Sequence, residues 1–184
     1  MLRQAAIVFA IVLALGACKA PQPQAETAPS AADAPKLFDD FGDLHRDIGS
    51  KVPAAQRYFD QGLRMAYGFN HEAAGRSFAE AVRLDPECAM CLWGQALVLG
   101  PNINLAMQPE ANTPAFEFSR RAAALAVHAT PADRALIEAL QARYADRAPE
   151  DRGALDKAYA EALARVVAQF PDDDDAATLY AESL

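Results

Sequence analysis

The chain has 184 residues, a formal net charge of −8 and a pI near 4.8. Such an acidic balance argues against a nucleic-acid partner, because phosphate binding needs a basic face. Alanine is the most frequent residue, glycine is sparse, and β-branched runs are absent beyond the N-terminal stretch, which together favour helix throughout.

The N-terminus reads MLRQAAIVFAIVLALGACKA. Arg3 precedes an apolar run from Ala5 to Ala17, too short to span a ~30 Å hydrocarbon core but suited to the h-region of a signal peptide. Leu15-Gly16-Ala17-Cys18 resembles the bacterial lipobox. That resemblance implies cleavage after residue 17 and lipid attachment to Cys18; an ordinary signal peptide with an incidental Cys18 is the alternative. Residues 18–36 contain Ala, Pro, Gln, Ser and Thr but no large apolar side chain, so they are expected to form a disordered tether. Lipid, tether and folded domain together predict an envelope protein anchored by acyl chains on the periplasmic side. Lys19 after the lipid cysteine favours the outer membrane by analogy with enteric lipoproteins.

About 145 residues remain, enough for one ordered domain. Residues 37–53 read as an irregular lead-in, with Leu37, Phe38 and Phe41 expected to pack on the first helix and His45 as a partly exposed loop residue. From Ala54 the spacing becomes helical. Tyr58, Gly62, Met65, Ala66 and Phe69 predict one buried face. Asn70 is a candidate cap for the next helix, whose stripe is Ala74, Phe78, Ala81, Val82 and Leu84. Asp85-Pro86 ends it, because a residue before proline avoids the helical region.

Gly62, Ala74, Phe78, Ala81 and Pro86 resemble the tetratricopeptide repeat in type and spacing, a helix-turn-helix of about 34 residues. The small residues let two helices touch, and Phe78 is expected to fill the gap to the next helix. The sequence departs from the pattern at Phe69, where the family has glycine, and at His71, where it has tyrosine. The resemblance is clear over residues 54–86 and weaker after that. Cys88–Gly100 takes the place of the next repeat's first helix. Residues 100–114 form a loop too long for a tight turn. Helical patterning returns at 115–128, 132–144, 151–170 and from about 174, with Thr130-Pro131 as a helix start. The resemblance therefore implies an all-α fold over 54–184. Its antiparallel hairpins would stack right-handedly, as a tetratricopeptide-like α-solenoid with a concave groove for a protein or peptide. The 100–114 loop is expected at one edge of that groove. The final segment DDDDAATLYAESL opens a helix with acids that favour its N-terminus, and reads as the front of a longer array.

Nothing in the sequence predicts an enzyme or a bound cofactor. Phosphate loops, nucleophile elbows and HExxH are missing, and His45, His71 and His128 fall on separate elements. Asp172–Asp175 reads as a charged helix start rather than a calcium loop. The remaining chemistry lies in Cys88-Ala89-Met90-Cys91. In an oxidising envelope this pair favours a modest structural disulfide, since residues three apart in a helical turn lie within about 5–6 Å. A soft-metal site for Cu(I), using Cys88, Met90 and Cys91 with Met107 or His71, is the alternative function. Redox work and free core thiols stay open as well.

Overall fold

The computed structural model describes residues 34–184. The signal-peptide segment, Cys18 and the tether up to residue 33 lie outside the described residues. The described chain is all-helical, with seven α-helices and no strand; its one β-bridge joins Asn102 and Leu105 within a loop.

Helix α1 spans Pro53–Tyr67 and opens on a proline, whose missing N–H costs nothing in a first turn. Its buried face carries Ala55, Phe59, Gly62, Leu63 and Ala66. The helix closes with Asn70 N–H donating to the Met65 carbonyl at 2.9 Å and Phe69 N–H to Ala66 at 3.0 Å. This is the Schellman pattern, which places one residue in the left-handed region, usually glycine. Here that residue is Phe69, at φ 58. Phe69 therefore lies beyond the helix and is 49% exposed, not on the buried face where its spacing put it. The turn geometry overrides the helical period.

Helix α2 spans His71–Leu84, and the Asn70 side chain accepts from Ala73 N–H at 3.3 Å as its cap. Helix α3, Ala89–Leu99, is apolar except for Gln95 and is buried along most of its length, as a helix apolar on nearly all faces must be. It touches α1, α2, α4 and α5, and so forms the centre of the molecule. Helix α4 is Asn112–Leu125 and runs on into a 3-10 turn at Ala126–His128. Thr130 caps α5, Pro131–Gln141, by accepting from Asp133 N–H at 3.1 Å. Helices α6, Gly153–Gln169, and α7, Asp174–Glu182, complete the chain. Each helix packs on its neighbour in sequence, and α1 with α3 and α3 with α5 also meet.

Phe78 is fully buried in a tightly packed place. A Cβ on Gly62 of α1 would come within 2.7 Å of its ring, and one on Gly94 of α3 within 2.6 Å. The ring thus lies between two glycines on two different helices, with Phe59 tilted against it at 5.4 Å between centroids. Ala74 and Ala81 are buried on the same face of α2, and Pro86 lies exposed in the turn to α3.

The lead-in differs from its expected role. Phe38 and Phe41 are each 42% exposed and pack on one another at 6.0 Å. Polar side chains of α1 hold this segment by its backbone. Gln61 accepts from Phe38 N–H at 2.9 Å and donates to the Lys36 carbonyl at 3.0 Å. Tyr58 donates to the Pro35 carbonyl, Gln56 to that of Arg46, and Arg64 to that of Leu44. A segment without secondary structure leaves its backbone groups unpaired, and these side chains satisfy them.

Candidate functional site

Arg46 ties the lead-in to the far end of the chain. Its guanidinium donates to Asp133 in the first turn of α5 at 2.8 Å, to Asp173 at 3.1 and 3.0 Å, and to Asp175 at 2.8 Å. Asp173 caps α7 by accepting from Ala176 N–H, and Tyr67 at the end of α1 donates to Asp175 at 2.6 Å. The acidic start of α7 therefore serves two purposes: it caps its own helix and it binds a guanidinium brought from 127 residues away. Burial opposes the Arg46 charge, but the hydrogen bonds to Asp173 and Asp175 outweigh it and hold its pKa above the ordinary value. Burial likewise works against the Asp173 carboxylate; the Arg46 bonds and the Ala176 N–H prevail and lower its pKa. Burial, and then the Asp175 charge, raise the Tyr67 phenol. Next to this cluster His45 Nδ1 lies 2.8 Å from Asp60, on an exposed ring as its loop position implied.

The clasp ties the start of α7 to the lead-in, to α1 and to α5. Residues of α1, α3 and α7 line an apolar pocket of about 120 Å³. Ala66 and Tyr67 of α1, Leu97 and Val98 of α3, and Thr178 and Leu179 of α7 form its walls. Phe69 and His71 stand at it with their rings parallel, centroids 6.4 Å apart. Pro101, Arg143 and Glu182 line this pocket and also an adjoining one, so they form the partition between the two.

Among the described residues Arg143 is the one fully buried arginine, 4% exposed, whereas Arg46 is partly buried. Its guanidinium donates to the Pro101 carbonyl and stands over the Tyr159 ring at 4.6 Å. A Cβ on Gly100 would come within 2.9 Å of its Cζ, so glycine is what admits it there. Among the described residues the carboxylate that reaches it is Glu182, at 4.0 Å. Burial disfavours its charge, yet nearby Tyr144, Tyr159 and Glu182 keep the pKa above the usual value. Tyr144 anchors the same corner by donating to the Ala96 carbonyl at 2.6 Å.

The loop expected over 100–114 begins at this corner and ends earlier, at 111, because α4 starts at Asn112. Asn102 and Leu105 exchange backbone hydrogen bonds of 2.9 and 3.1 Å, and Asn102 also receives Asn104 N–H on its side chain. This tight turn leaves Ile103 69% exposed and Leu105 60% exposed. The sequence separately identified the loop and His71. The structure brings them to one place: Asn102 Nδ2 lies 3.5 Å from His71 Nδ1.

Cys88 and Cys91 are buried in the first turn of α3 with their Cα atoms 5.3 Å apart and their sulfurs at disulfide distance. Cys88 Sγ also accepts from Cys91 N–H and so serves as the helix cap. Met90 is buried beside them, whereas His71 and Met107 lie on other elements. Among the described residues no group of three or more His, Cys, Asp or Glu side chains could hold a metal ion. No helix among them is long and apolar enough to cross a membrane.

Sequence reasoning missed Arg46 and Arg143. Neither belongs to a motif, and their carboxylate partners lie up to 129 positions away. Compared with protein-family models, with curated proteins and with solved structures, the chain shows no significant match to any.

Proposed function

We propose that the chain is a tetratricopeptide-like scaffold of the bacterial envelope, anchored through a lipid on Cys18, that binds a protein or peptide partner. The observation that carries this reading is Phe78 held between Gly62 and Gly94. Those glycines lie on α1 and α3, the first helices of two consecutive hairpins, near the 34-residue period of the repeat. Under this reading α1–α2, α3–α4 and α5–α6 are three hairpins of a right-handed stack, and their packing in sequence is compatible with it. The free edge is the 100–111 loop, where Ile103 and Leu105 project at a place the fold does not require them.

Two measurements test the proposal. Cys18→Ser should move the protein from the membrane to the soluble fraction; a variant that still sediments with membranes sinks the anchor. A photo-crosslinking residue at Ile103 should give one discrete adduct in cells, and one at exposed Arg165 on α6 should not. Equal or absent adducts from both positions would remove the loop as the partner surface. The copper reading predicts metal retained by protein purified from the periplasm, with Cys88 and Cys91 as free thiols.

A further inference from the structure

We propose that the pocket between α1, α3 and α7 is a binding site for a small apolar monocarboxylate, held at its carboxylate by Arg143. The inference does not depend on the scaffold reading.

Arg46 and Arg143, with side chains 11% and 5% exposed, provide the argument. Arg46 has three carboxylates within 3.1 Å, so its charge is fully met inside the protein. Arg143 is at least as buried, yet the carboxylate that reaches it stands at 4.0 Å, outside hydrogen-bond range. A buried charge is retained at a cost unless it is paired and hydrogen-bonded. Arg143 lines an apolar pocket, so an anion entering that pocket would meet guanidinium donors that the protein itself does not engage with a carboxylate. Planar two-point pairing is the geometry in which arginine binds carboxylates best.

The pocket limits what accompanies the carboxylate. Its walls are Ala66, Tyr67, Leu97, Val98 and Leu179, which suit a hydrocarbon body. Its volume of about 120 Å³ is somewhat less than the roughly 150 Å³ of a dry cavity that accepts benzene. A branched chain of four or five carbons is the scale that fits. Phe69 is the second, independent sign. A phenylalanine in the left-handed region is strained, and such strain collects at ligand clamps and switches. The strained turn holds a half-exposed aromatic ring at this pocket, stacked on His71, where it can close over an occupant.

Glu182 is the internal competitor. At 4.0 Å it neutralises part of the Arg143 charge when the pocket is empty, and an incoming carboxylate must share that guanidinium with it. Removing its charge should therefore tighten binding.

The test titrates the full chain with isovalerate and with the uncharged isovaleramide by calorimetry. Isovalerate should bind saturably, and the amide should bind roughly 10- to 100-fold more weakly, the worth of a charge-assisted hydrogen bond. Arg143 is too buried to be the primary variant. Thr178 is exposed at the pocket, so Thr178→Trp should block entry without disturbing the core, and should abolish the isovalerate signal. Glu182→Gln should strengthen isovalerate and leave the amide unchanged. No binding of isovalerate, equal binding of acid and amide, survival of the signal in Thr178→Trp, or weaker binding in Glu182→Gln would each overturn the proposal.

Discussion

Replacing Arg46 with leucine is the sharpest perturbation of this structure. The substitution keeps much of the side-chain volume but leaves Asp133, Asp173 and Asp175 facing one another without their cation. Their side chains are 3, 12 and 12% exposed, so water reaches them poorly. Removing one partner of a buried ion cluster costs about 3–5 kcal/mol, and two partly wetted members put the value near the lower end. Against the 5–15 kcal/mol of a usual domain, about 3 kcal/mol at neutral pH is a large loss. The pH dependence identifies the cause. In the wild type the Asp173 pKa is lowered, so its contribution is present above the unfolded carboxylate value and is lost as pH falls through the folded one. In Arg46→Leu the Ala176 N–H still favours the Asp173 carboxylate, but the Arg46 bonds are gone, and burial together with three facing carboxylates favours protonation. The deficit relative to the wild type should then shrink as pH falls from 7 towards about 4, because protonation removes the unpaired charges of the variant while the wild type loses its ion pairs. Urea midpoints followed by circular dichroism across that range give the comparison. A deficit that stays constant or grows as pH falls, or a loss at pH 7 below about 1 kcal/mol, the range of an exposed pair, would refute the account.

Three further outcomes follow from the packing and the turns. Gly94→Ala should destabilise by about 1–2 kcal/mol, overpacking against Phe78 exceeding the roughly 1 kcal/mol gained in helix propensity. In a Phe78→Leu background the same change should be neutral or stabilising, and a cycle of the four proteins in urea with no coupling would remove the ring from the argument. Phe69→Gly should raise stability by about 0.5–1 kcal/mol, the 1–2 kcal/mol of left-handed strain less the added freedom of the unfolded chain; a lower melting temperature would mean that the His71 stacking outweighs the strain. Burial raises the phenols of Tyr67, Tyr144 and Tyr159, so the stability they contribute is present below their unfolded value near 10 and is lost as pH rises above it. Their ultraviolet ionisation should coincide with unfolding seen by circular dichroism, and ionisation in a still-folded chain would contradict the burial.

Local chemistry decided much of this protein in advance. Alanine-rich periodicity makes helices, Asn70 and Thr130 cap them, and Pro86 and Pro131 punctuate them, because each effect acts within a turn or two of chain. The cysteine pair was legible for the same reason, since three residues of helix fix the distance between its members. The small positions Gly62 and Ala74 and the aromatic Phe78 were readable because close helix contact demands those sizes. Phe69 marks where the sequence misled: its spacing continued the stripe, but the helix had ended and the turn needed a left-handed residue. Only the tertiary structure decided what the charges do. Asp173 and Asp175 look from sequence like any acidic helix start, and Arg46 like a loop cation, until the fold brings the start of α7 to the lead-in. Arg143 became notable only when packing buried it beside a pocket with Glu182 just out of reach. Helix and cap arise from neighbours along the chain, whereas a charge takes its meaning from burial and from partners at any sequence distance, which no local pattern encodes.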